Sequence, residues 1–209
     1  KFVLPRLEHE LASTNIILQI TDLRWGVDTR SIEENQREAT VLHVCLNAIR
    51  NTRPFFVGLL GGRYGWIPDN NRWTSILNTL KPEEKSLMGE TNGKSVTEME
   101  IIFGAIGNSQ VLPHSLFFFR SEDSYKNIPK DKLAFLQDEV SSSPQQKINA
   151  TKLKALKQRI KETCIANNYE NNLFEYTAKW DVKKEAFSQL EEFGDKLYNA
   201  LLREIKEEI

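Results

Sequence analysis

The sequence predicts an α/β fold, a parallel sheet flanked by helices. Three observations carry this. Short continuous apolar runs, at residues 55–60 and 116–119, lack polar alternation, as strands buried on both faces do. Longer stretches between them repeat apolar residues at three- and four-residue spacing, as amphipathic helices do. The two kinds of segment alternate along the chain, which implies parallel pairing and right-handed crossovers.

Each element follows in order. Residues 1–11 read as the second half of a helix, with Phe2, Val3, Leu7 and Leu11 on one stripe. Neither a strand nor an initiator Met comes before it, so an N-terminal strand near the sheet centre is expected ahead of Lys1. Residues 16–20, IILQI, are β-rich and read as a strand. They lead into a loop with Asp22, Arg24, Trp25, Gly26 and Asp28. Either Trp25 packs on the sheet edge with Arg24 paired to an aspartate, or the loop lines a site. Ser31 and Glu34 form a capping box, and a helix follows to about Asn51 with Leu42, Leu46 and Ile49 on one face.

The chain is organised around the next stretch, PFFVGLLGGRYGW from Pro54 to Trp66. A core strand ends in Gly61 and Gly62 and passes at once into Arg63, Tyr64 and Trp66. Loops at the carboxyl ends of parallel strands are where such sheets meet ligands. The alternative is a tight turn whose aromatics cap the core. Residues 69–94 are polar and poorly periodic, with short helices at Trp73–Leu80 and from Pro82. Ser95 and Glu98 make a second capping box, which gives Glu98 a structural task. Glu100 has no such task. On a helical wheel it falls among Val96, Phe103, Gly104 and Gly107. A carboxylate there is expensive to bury unpaired, and the glycines imply that something approaches the helix closely. Glu100 either pairs with an arginine such as Arg24 or Arg63, snorkels to water, or serves a site.

Residues 115–120 read as a third strand, 132–140 as a helix and 147–168 as a long helix whose lysines form a solvated face. Residues 173–178 read as a last strand, followed by Trp180 and Asp181. From about Lys184 the pattern is helical to Ile209, with Phe187, Leu190, Phe193 and Leu197 on its buried side. The whole reads as one flavodoxin-like domain over 1–209, with a helical extension at about 184–209.

Composition narrows the function classes. The net charge of −1 argues against nonspecific nucleic-acid binding. The apolar runs are far too short to span a membrane. Cys45 and Cys164 sit in helical patterns, far apart, and read as buried thiols in a reducing, cytoplasmic setting. His9, His43 and His114 have no metal-ligand spacing. No Ser/His/Asp or Cys/His constellation and no Walker-type loop is legible, so ATP hydrolysis by this segment is not expected.

Taken together, DLRWGV (from Asp22), CLNAIRNTRPFFVGLLGGRYGW (from Cys45), SVTEMEI (from Ser95), LFFFR (from Leu116) and the Tyr176–Trp180–Asp181 element resemble a TIR-like family. That family, formerly a domain of unknown function, precedes NACHT-type STAND NTPase modules in bacterial defence-like proteins and in animal proteins such as telomerase-associated protein. The resemblance covers nearly the whole chain. It implies a signalling or effector domain of innate-immunity type, with an NTPase module in the same chain, and self-association. Related TIR domains cleave NAD with a glutamate in the helix after the third strand, a position similar to Glu100. On that resemblance Glu100 is the catalytic candidate, and Arg24, Trp25, Arg63, Tyr64 and Trp66 line the nucleotide pocket. NAD enters only as substrate, and no cofactor or metal is required. Val96 stands where many catalytic TIR domains carry an aromatic residue. Other TIR domains are non-catalytic adaptors, which is the alternative.

Overall fold

In the computed structural model the described residues are 2–14, 16–23, 34–69, 74, 77–78, 80–82, 85–86 and 92–208, without the side chains of 34–39. Arg24, Trp25, Ser31, Trp73 and Ile76 lie outside them. The elements run α1 (Val3–Leu11), α2 (Glu34–Asn51), β1 (Phe56–Leu60), α3 (Val96–Ile101), β2 (Ser115–Arg120), α4 (Lys130–Leu136), α5 (Pro144–Ala166), β3 (Leu173–Tyr176), β4 (Lys179–Asp181), β5 (Ala186–Ser188) and α6 (Glu191–Glu207). A π-helical turn, Ile102–Ile106, continues α3 directly.

The predicted α/β architecture is present: a three-stranded parallel sheet of order β1-β2-β3, flanked by helices, consistent with a flavodoxin-like fold. β2 pairs in register with β3, from Phe117 opposite Leu173 to Arg120 opposite Tyr176. Central β2 is buried from Ser115 to Phe119, as its unbroken apolar run requires.

The chain divides into two compact units. The first comprises Lys1–Gln19, Val57–Arg63 and Leu116–Ile209. Its core joins Leu116, Phe118, Tyr176, Ala178 and Ala200, and the apolar stripe of α6 packs Phe193, Leu197 and Leu201 against it. The second comprises Ile20–Phe56 and Tyr64–Ser115. Its core joins Leu42, Leu46 and Ile49 of α2 to Met99, Ile102 and Phe103.

Three expectations are corrected. β1 is not buried on both faces: Phe56 and Leu59 are half-buried and Val57 is exposed, as suits an edge strand of the described sheet. Residues 16–20 form no strand, and Ile17 is 93% exposed. A β-rich run becomes a strand only where a neighbour takes its backbone hydrogen bonds. Helix also does not begin at Lys184. Residues 179–188 fold back as an antiparallel hairpin with Trp180 opposite Phe187, and the helix starts at Glu191. Phe187 meets the Trp180 ring edge-on at 5.4 Å, so its apolar side serves a two-stranded ribbon and not a helical stripe.

Candidate functional site

The loop after β1 is built by close backbone approach. Gly62 pairs as an isolated parallel bridge with Gln137, and its carbonyl accepts the Asp138 N–H at 2.9 Å. A Cβ on Gly62 would lie 2.7 Å from the Leu136 carbonyl oxygen, which is why glycine stands there. This docking delivers Arg63 to the segment just joined. Its Nε lies 3.6 Å from Oδ1 of Asp138, whose side chain is buried, and its Nη1 donates to the Phe135 carbonyl at 3.2 Å.

Tyr64 belongs to the second unit and is buried. Its hydroxyl donates to the Glu98 carboxylate. Burial, and then that carboxylate, push the phenol pKa up, so Tyr64 stays a neutral donor. The predicted cap is in place, with Ser95 Oγ accepting the Glu98 N–H at 3.1 Å. Glu98 therefore serves helix α3 twice, by its backbone at the cap and by its carboxylate on Tyr64. The Trp66 carbonyl accepts the Val96 N–H at 2.9 Å, while its side chain remains 43% exposed.

Glu100 is half-buried and faces α2, where the Cys45 thiol donates to its carboxylate. Burial raises the Glu100 pKa above 4.5 and the thiol opposes the rise. Burial and the Glu100 charge push the Cys45 thiol up to about 12. The close approach implied by the glycines also has an owner. The Phe56 ring lies 2.7 Å from where a Cβ on Gly104 would sit, and Ile49 stands at 3.0 Å. The π-turn begins two residues after Glu100, a rare element that often marks functional sites.

Within the second unit the structure thus holds Tyr64 on Glu98 and Glu100 on Cys45, with Trp66 reaching solvent. Arg63 belongs to the first unit and is engaged with Asp138. Arg24 and Trp25 fall outside the described residues. Cys45 is the partner that sequence reasoning missed, although its place in the helical pattern of α2, read as a buried thiol, was the available signal. Both cysteines are free and buried. Among the described residues no His/Cys/Asp/Glu group could hold a metal ion, and no helix is long and apolar enough to cross a membrane.

The Glu100 environment makes stability depend on pH. A carboxyl whose folded pKa is raised contributes its full stabilisation below its ordinary 4.5 and loses it as pH rises through the folded value. Glu100→Gln removes that dependence. The expected result is a smaller fall in Tm between pH 4 and pH 7 than in the parent chain, checked by thermal melts across that range. Parallel profiles for the two proteins refute the assignment.

The fold and these contacts define a flavodoxin-like α/β module. The chain belongs to the family described as Domain of unknown function (DUF4062), whose model matches residues 7–202. It is 32% identical over 171 residues to telomerase protein component 1 of Mus musculus, covering 80% of this chain and 6% of that protein. It is 26% identical over 204 residues to a TPR repeat-containing protein of Dictyostelium discoideum, covering 95% of this chain and 11% of that one. Tetratricopeptide repeat protein 41 of Rattus norvegicus is 28% identical over 184 residues, covering 74% and 14% respectively. The chain therefore spans well under a fifth of the length of these relatives. No solved structure matches.

Proposed function

We propose that the chain is a TIR-like signalling module of a much larger, cytoplasmic protein, acting by self-association or partner contact when an attached NTPase module oligomerises. The small share of each relative that it covers, and the repeat proteins among those relatives, support a module within an interaction protein. One observation carries the contact reading. Arg63 and Tyr64, expected to wall a nucleotide pocket, are engaged by Asp138 and Glu98, while the large apolar face of Trp66 is 43% exposed. Exposed aromatics of this kind are frequent anchors of protein contacts.

A second reading, NAD cleavage at Glu100, is favoured by its half-buried carboxyl with a raised pKa beside a π-turn. A carboxylate there would stabilise oxocarbenium-like charge in glycosidic cleavage. One experiment separates the two. The full-length protein is forced to oligomerise, and association, NAD loss and nicotinamide release are followed beside Trp66→Ala and Glu100→Ala. Association weakened about tenfold by Trp66→Ala, without NAD turnover, supports the contact reading. NAD turnover that disappears in Glu100→Ala overturns it in favour of an effector enzyme.

A further inference from the structure

The outward face of α5 carries an order that its own core does not use. Inward, Ala150, Leu153, Leu156, Ile160 and Cys164 are buried. Outward, Ile148, Thr151, Ala155, Gln158, Glu162 and Ile165 recur at alternating steps of three and four residues, and all six are exposed. Such steps are the a and d positions of a heptad, the seam along which one helix lies on another. With the seam so placed, Lys147, Lys154 and Lys161 stand in a row at g, and Lys152 and Arg159 in a row at e. A sixth cation, Lys157, departs from the solvated face expected of α5. It is half-buried, and burial lowers its pKa. The helix thus holds six cations against one carboxylate, Glu162, in a chain whose net charge is −1.

A helix face that meets only water mixes the two signs at three- and four-residue spacing. Here only Arg159 has a carboxylate at that spacing, and that carboxylate, of Glu162, accepts the Gln158 amide at 2.8 Å. Lys154 with Lys157, and Lys157 with Lys161, set like charges at the same spacing, which costs helix stability. Lys154 reaches Glu139 at 2.6 Å, and the Lys161 ammonium lies 5.2 Å from the centre of the Phe119 ring. The side chains of Lys147 and Arg159 make no hydrogen bond or ion pair among the described residues.

We propose that this face docks a helix of a partner protein whose own e and g positions are acidic. Over its 23 residues α5 offers a track of about 34 Å. A helix laid along Ile148, Ala155 and Ile165 brings its flanking positions beside the two basic rows, where carboxylates neutralise them. Ile148 and Ile165, 52% and 59% exposed, are the apolar anchors at the two ends, and Gln158 with Glu162 is a polar step that fixes register. The rows repel a second α5, so the pairing joins unlike chains. Nucleic acid and lipid fit less well, since the face has no aromatic ring to stack on a base or enter a headgroup layer. The proposal is independent of Trp66, which belongs to the second unit, whereas α5 belongs to the first.

The test titrates the 209-residue chain into a fluorescent synthetic helix of three heptads, with Leu at a and d and Glu at e and g. Saturable binding is expected by anisotropy, weakening as salt rises, with amide NMR shifts confined to α5. The double variant Lys147→Glu/Lys161→Glu should weaken it about tenfold or more, and should instead take the same peptide built with Lys at e and g. Ile148→Asn should weaken it as well. Both changes are on exposed side chains, so melting points equal to the parent's are expected. No saturable binding, equal binding of a scrambled peptide of the same composition, or unchanged affinity in the double variant overturns the proposal. So does tighter binding to phosphatidylserine vesicles or to an RNA duplex than to the peptide, or self-association of the chain that the double variant abolishes.

Discussion

Phe118→Ala is expected to destabilise the protein by about 4 kcal/mol and to lower Tm by roughly 8–16 °C. Phe118 is fully buried in the central strand β2. Its ring stacks on Phe174 of β3 at 4.6 Å and meets Phe193 of α6 edge-on at 5.4 Å. Truncation removes the contact between sheet and helix at the centre of the first unit's core. The space it leaves is bounded by hydrogen-bonded strands that cannot collapse inward. Urea unfolding with the exposed Phe135→Ala as a control checks this. Equal midpoints for the two variants refute the placement of the core. The helix α6 should also lose its packing before the sheet does, visible as earlier loss of protection at its amides.

Gly62→Ala is expected to cost about 2–3 kcal/mol, a Tm fall of roughly 4–12 °C. The new methyl would meet the Leu136 carbonyl oxygen at 2.7 Å, Gln137 Cγ at 2.8 Å and the Tyr125 hydroxyl at 3.0 Å. The nearest of these is backbone, which has no rotamer to give. Relief requires parting Gly62 from Gln137, and with it the contact that seats Arg63 beside Asp138. The neighbouring Gly61→Ala is the matched control. Its methyl would meet nothing nearer than the Tyr125 hydroxyl at 3.4 Å, so little change is expected. Similar melting points for the two alanine variants would show that the loop does not dock as described.

These two glycines show what a sequence can and cannot disclose. That a strand stops at Gly61–Gly62 was legible, because an apolar run met two residues without side chains. The reason for the second glycine was not legible, since its partner Gln137 lies far along the chain and local pattern says nothing of such pairs. The strands at 56–60 and 115–120 were readable from their uninterrupted apolar runs, but that pattern foretold full burial for both and only the second is buried nearly throughout. The hairpin at 179–188 was not, because Phe187 and Leu190 fit the spacing of the helix that follows. Ser95 and Glu98 announced a helix start correctly. Nothing local announced that the Glu98 carboxylate would receive the Tyr64 hydroxyl, or that Cys45 would face Glu100. Lys157 looked like one more solvated lysine among several on α5.

The division of the chain has a consequence for how it is made. Only seven residues, Val57–Arg63, carry the first unit's strand β1, and stretches of the second unit flank them on both sides. The ribosome therefore releases β1 well before β2, the strand it must lie beside. Until then an apolar segment waits without its sheet, the situation in which nascent chains aggregate or recruit chaperones. It also means that no single cut frees either unit as one continuous piece. Fragments made by truncation should be insoluble or unfolded, whereas a circular permutant that keeps every segment keeps the means to fold.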